Sequence, residues 1–189
     1  MAPTSFLDTI DPKGHLLITK THTNGLSEVL LDEHNVITDG MGVTLAALFS
    51  NDDLTVSSGD FAIPYFQVGT DAQAMDTSTV VLGNPLSLAN YGSPIDLTVG
   101  EHENSTGALQ AFVHLNNAYI ARSSLSKITY TVLLTDDHAN GQSINEIGLF
   151  SKNPLQVNPS RSYLCAYRTF NTIEKNSDFS LTFRWTLEF

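Results

Sequence analysis

The sequence predicts a mainly β protein, an antiparallel β-sandwich with one short α-helix near residues 41-50. Three observations carry that expectation. Large apolar residues alternate with polar ones in several stretches, turn-forming Gly, Pro, Asn and Asp recur between them, and a single segment shows helical spacing. Many short strands separated by turn signals favour two packed sheets over a parallel α/β arrangement. A chain of 189 residues, 41% of them hydrophobic, can bury a continuous core unaided, so one domain over 1-189 is expected.

Taken in order, the amino-terminal Met1-Ala2-Pro3-Thr4-Ser5-Phe6-Leu7-Asp8 lacks a basic stretch leading into an apolar one. It is not read as an export signal, and since no later run approaches ~20 apolar residues, no membrane insertion is expected. His15 to Lys20 and Ser27 to Asn35 are the first strand candidates. Met41, Leu45, Leu48 and Phe49 then recur at helical spacing, with Asp39 placed as a cap. Ile63 to Val68 is another strand candidate, and Gly69-Thr70-Asp71 reads as a tight turn. From 71 to 105 the chain is rich in Gly, Pro, Asn, Ser and Asp, which predicts a long loop region with short extended pieces.

Extended structure resumes at Ala108 to Leu115. Ile128, Tyr130, Val132 and Leu134 alternate with Thr129, Thr131 and Leu133, as a half-buried strand requires. Turn chemistry from Asp136 to Gly141 separates this strand from Ile144 to Phe150, and the pair is expected to form a hairpin. Gly148 inside that apolar run implies a bulge or a close approach by another backbone. Tyr163 to Phe170 follows. The clearest signal is last: Phe179, Leu181, Phe183, Trp185, Leu187 and Phe189 share one face of a strand, offering on the order of 9–18 kcal/mol of gross burial. Gly69, Gly148, Phe183, Trp185, Leu187 and Phe189 are therefore the residues expected to be critical to the fold.

Charge narrows the function. Nine Lys and Arg stand against 20 Asp and Glu, a formal net charge of -11. No basic stripe is present to displace counterions from a phosphate backbone, so direct nucleic-acid contact is not expected. Cys165 is the single cysteine, which excludes an intramolecular disulfide and a thiolate metal cluster. Its setting in Ser-Tyr-Leu-Cys-Ala-Tyr reads as a small buried hydrophobe.

Catalytic constellations are weak. The histidines, at 15, 22, 34, 102, 114 and 138, never take the i, i+4 spacing of a zinc hydrolase. Glu101-His102-Glu103, Asp136-Asp137-His138 and Asn51-Asp52-Asp53 read as solvated acidic segments. No Gly-x-Ser-x-Gly elbow occurs. The expectation is a protein that is not an enzyme, with no catalytic, cofactor-binding or metal residues and no cofactor. Glu146, with Arg168 and Lys175 as conceivable partners, reads as a solvated surface acid.

Four stretches, in order, resemble a family of structural proteins of tailed-bacteriophage virions found among tail-fibre, baseplate and collar components. His34-Asn35-Val36-Ile37-Thr38-Asp39-Gly40-Met41 leading into Leu45-Ala46-Ala47-Leu48-Phe49 is similar to that family's strand end and short apolar helix. Phe66-Gln67-Val68-Gly69-Thr70 with Leu82-Gly83-Asn84 resembles its Val-Gly-Thr-Gly turn and Leu-x-Asn step, although Asp71 stands where a second glycine is usual and Pro85 where an acid is common. Asn145-Glu146-Ile147-Gly148-Leu149-Phe150 resembles its x-Glu-(Val/Ile)-Gly-Leu-Phe strand. Arg168 to Lys175 together with Leu181 to Phe189 resembles its closing pattern with Trp185.

The resemblance implies a structural subunit of the virion, assembled in the host bacterial cytoplasm and serving as an assembly or adaptor component of the tail fibre, baseplate or collar. Its partners would be further copies of itself, a trimer first and a six- or twelve-fold ring next, and other virion proteins. The alternatives are a host-receptor-binding module at a fibre tip and a capsid decoration protein. Val80, Val81, Leu86 and Leu88, in the less regular region, are the candidate assembly contacts. A receptor module would present aromatic platforms on its loops, and Tyr91 is the sole aromatic between residues 71 and 105.

Overall fold

The computed structural model describes residues 12–50, 58–92, 98–115 and 117–189. Among the described residues are three short 3-10 turns, one α-helix and ten strands: β1 (Lys13–His22), β2 (Ser27–Ile37), α1 (Asp39–Ser50), β3 (Tyr65–Gly69), β4 (Thr98–Asn104), β5 (Leu109–His114), β6 (Ile120–Arg122), β7 (Lys127–Leu134), β8 (Ser143–Ser151), β9 (Arg161–Glu174) and β10 (Phe179–Glu188). The strand order is β4-β5-β3-β8-β9-β2-β1-β10-β7-β6. It folds into two layers joined at the β9–β2 step, giving the sandwich that the sequence predicts.

The first layer, β2-β1-β10-β7-β6, is antiparallel and wet on one face. β10 lies at its centre, paired along its length with β1 and with β7. Leu181, Phe183, Trp185 and Leu187 are buried on the inner face beside Leu16, Ile18, Tyr130, Val132 and Leu134. Their alternation with Thr182, Arg184 and Thr186 is the pattern that a one-sided sheet imposes. Phe189 departs from the expectation. Its backbone N–H bonds Ser126, but it lies beyond the last strand residue and its side chain is 42% exposed, so it adds little to the core.

The second layer, β4-β5-β3-β8-β9, is buried on both faces. Phe66, Val68, Val113, Ile147 and Leu149 face the first layer, whereas Tyr65, Phe112, Phe150, Leu164 and Tyr167 form a second cluster with Leu82 on the other side. A parallel contact of β4 with the start of β9 links the two ends of this strand order into a ring. Double burial explains why β8 reads as a continuous apolar run and not as an alternation. α1 begins two residues earlier than the spacing predicts. It buries Met41 and Thr44 and leaves Leu48 and Phe49 exposed.

One expectation needs correction, and two strands go unpredicted. β7 and β8 are not a hairpin: β7 pairs with β10 and β6, and β8 with β3 and β9, so the Asp136–Gly141 turn carries the chain from one layer to the other. The long loop region contains a strand, β4, whose Gly100 and charged Glu101 and Glu103 hide it from a pattern based on apolar alternation. β6 is a further strand that the sequence does not predict, because three residues carry no period.

Candidate interaction surface

The one buried carboxylate among the described residues belongs to Glu146 on β8. Asn84 N–H donates to its Oε1 at 2.9 Å, and Gly83 N–H and the Tyr167 hydroxyl donate to its Oε2, each at 2.9 Å. Charge-assisted bonds of this kind fasten the 82–84 turn onto the second layer. The expected partners are elsewhere. Arg168 pairs with Glu33, and Lys175 is buried with its Nζ donating to Asn140 Oδ1 at 3.0 Å and to Asn176 O at 2.7 Å. Glu146 is thus a fully buried structural acid and not a solvated one. Burial pushes the Tyr167 phenol up, and the neighbouring Glu146 charge adds to it, so this hydroxyl stays a donor.

Both predicted glycines serve this knot. A Cβ on Gly69 would collide with the Glu146 carboxylate and stand 2.8 Å from Asn84 O; one on Gly148 would stand 2.6 Å from Leu164 Cδ1 and 2.9 Å from Leu82 Cδ1. At Gly148 the close neighbours are side chains and not the expected backbone, and register irregularities in the β8–β9 pairing lie on either side of it. On the opposite layer Trp185 donates its Nε1–H to Asn35 Oδ1 at 2.7 Å.

The candidate assembly contacts divide. Val80 and Leu88 are exposed, Val81 is half-buried, and Leu86 lies in the main core, where its backbone N–H also bonds Val68 O. Leu86 is therefore unavailable to a partner, and that expectation is corrected. Val80 lines a shallow apolar hollow of about 130 Å³ with Val43, Tyr163 and Leu164. Tyr91 is fully buried and its hydroxyl accepts the Val68 N–H, so it is no platform for a sugar.

No group of three or more His, Cys, Asp or Glu able to hold a metal ion occurs among the described residues. His102 stacks on Tyr65 at 4.6 Å, and burial lowers its basicity. His138 is buried, with its Nδ1 accepting the Thr135 N–H at 3.1 Å. Asn51, Asp52 and Asp53 lie outside the described residues. Cys165 is buried beside Thr44 Oγ1, and burial pushes its thiol up, away from the reactive thiolate.

The surface opens where the layers part. β2 and β9 pair only at Val36↔Tyr167 and Ile37↔Ala166. Beyond them the Arg168 guanidinium stands between the strands, donating to His34 O at 2.7 Å and pairing with Glu33. From there β2 and β9 diverge around a groove of about 300 Å³ lined by Ile18, Leu30, Leu31, Phe170 and Ile173, and a second hollow continues it to Lys20 and Phe179. Leu30, on its rim, is 38% exposed. Nothing in the residue pattern announces this site, because β2 reads as an ordinary strand until its missing neighbour is known.

No family model, no curated protein and no solved structure matches the chain.

Proposed function

We propose that this chain is a structural subunit of a tailed-phage particle, an assembly or adaptor component of the tail fibre, baseplate or collar that works as a homo-oligomer against other virion proteins. The observation that supports this reading is how the four resembling stretches meet. Gly69 and the Gly83-Asn84 turn converge on Glu146, while Asn35 bonds Trp185 and the backbone of His34 bonds Arg168. Positions scattered over most of the chain thus depend on one another in contact. A set of residues that act together is a stronger ground for the resemblance than four short similarities taken singly. The geometry also suits a scaffold: the polar groups described above hold turns and strands in place.

A trimer is the first expectation for the assembled form, with six- or twelve-fold rings next. A stable contact would bury roughly 800 Å² per partner. Burial of Tyr91, the sole aromatic between residues 71 and 105, weakens the receptor-binding alternative further. Light-scattering mass over a concentration series, together with imaging of purified particles, is the test. A chain that stays monomeric and is absent from particles overturns the reading.

A further inference from the structure

We propose that the groove between β2 and β9 is an acceptor site for an extended segment, and that its occupant is residues 1–11 of a neighbouring copy, Met1 to Asp11. The inference rests on the assembly reading and names its contact.

Four observations lead to it. First, the pairing of β2 with β9 stops after two residue pairs, leaving β2 from Ser27 to Glu33 with strand partners on the β1 side only, among the described residues. Two facing strand edges at the mouth of a sandwich fit an added strand, whose backbone supplies the bonds and whose alternate side chains fill the floor. Second, that floor is apolar: Ile18 is buried, and Leu31, Phe170 and Ile173 are partly buried against the main core. Third, Arg168 at the closed end carries a buried Nε–H with no acceptor. An incoming carbonyl or carboxylate would satisfy it.

Fourth, the segment fits by length and chemistry. Eleven extended residues span about 36 Å, and the open edge of β2, from Ser27 to Glu33, runs for about 23 Å. An extended Thr4 to Asp11 would put Phe6 and Ile10 on one face with Asp8 between them, so that Phe6 and Ile10 meet the floor and a carboxylate on the same face offers Arg168 an acceptor.

Entry from a neighbour is favoured over entry from the same chain. Lys13 lies at the stitched end of β2, on its β1 side, since Gly14 pairs with Asn35 and Val36 with Tyr167. There the chain turns into α1, fastened by Thr38 to Leu164 and Cys165. To fill its own groove the segment would have to round that end and double back; passing outward meets no such obstacle. A donor at one place and an acceptor at another make a heterologous contact, which closes into a ring when its rotation allows.

The test compares the full chain, a chain lacking residues 1–11, and Leu30→Glu, whose side chain lies at the surface of the groove. Light scattering is expected to show loss of the oligomer in the last two, with the circular dichroism spectrum and cooperative melting retained. A synthetic peptide of residues 1–11 is expected to bind the shortened chain, with affinity roughly tenfold or more lower when Leu30→Glu is also present. An unchanged mass on deletion overturns the proposal while leaving assembly through another face intact. Failure of the peptide to bind overturns it too. In the double variant Phe6→Cys with Leu31→Cys, oxidation is expected to link the two introduced thiols between chains; a disulfide that forms within one chain overturns the proposal as well.

Discussion

The two layers of the sandwich are specified by different means. In the first, β10 and its neighbours put apolar groups on one face and threonines on the other, and the fold there rests on burial of Trp185, Phe183 and Leu16. In the second, both faces are covered, and a carboxylate with three donors and two glycines at close approach sets the geometry. The difference teaches where tolerance lies. A core of alternating apolar residues accepts changes of similar volume, whereas a buried polar knot must keep every partner.

The largest effect should come from removing the last five residues. Trp185 and Leu187 leave the main core and β10 loses its pairing with β1 and β7 from residue 185 onward, so the shortened chain should lose cooperative melting in circular dichroism. Wild-type-like melting would break the view that the first layer depends on this strand. Trp185→Ala should cost about 3–5 kcal/mol by denaturant titration, because the ring is buried and Asn35 Oδ1 loses its donor.

Glu146→Ala sharpens the contrast in the second layer. It strands the Gly83 and Asn84 N–H groups and the Tyr167 hydroxyl, and should cost about 2–4 kcal/mol with little change in buried apolar area. Gly148→Ala, which forces Leu164 and Leu82 aside, should cost about 1–3 kcal/mol. If both substitutions proved neutral, the two layers would not differ in the way described.

A smaller effect is expected at high pH. Burial raises the phenol pKa of Tyr65, Tyr91, Tyr130 and Tyr167 above the ordinary 10.0. In that range the unfolded chain gives up tyrosine protons that the folded chain keeps, so stability is whole below pH ~10 and falls as pH rises past it. Lys175, whose pKa burial lowers, works in the opposite sense as a single group. Melting temperature against pH, with phenolate absorbance followed in parallel, checks the sign. Phe189→Ala should change stability least, by about 0.5 kcal/mol or less, since the residue is 42% exposed and lies beyond the last strand residue.

Legibility in the sequence follows the same division. β1, β7 and β10 are readable because a one-sided sheet writes its burial as a period of two, whereas β2 is largely exposed and is legible only as an extended run. β8 is readable as extended, but not its layer, since residues buried on both faces carry no record of which neighbour they meet. The Asp136–Gly141 segment has the composition of a hairpin turn and serves as a crossing between layers; turn chemistry states that the chain bends, and not toward which strand. Glu146 escapes a sequence reading because a lone acid beside an apolar run has no mark of burial: its partners include two backbone N–H groups more than sixty residues upstream, which no side-chain pattern encodes.

The pairing of β1 with β10 has a consequence for the order of events on the ribosome. The centre of the first layer joins segments near opposite ends of this sequence, so β1 emerges long before the strand that completes it. Until then Leu16 and Ile18 lack their cover and one edge of β1 is open. Closing so long a loop is slow, and a nascent chain in that state is open to association with its neighbours. Synthesis at a crowded polysome would therefore favour its capture by a chaperone until β10 is released.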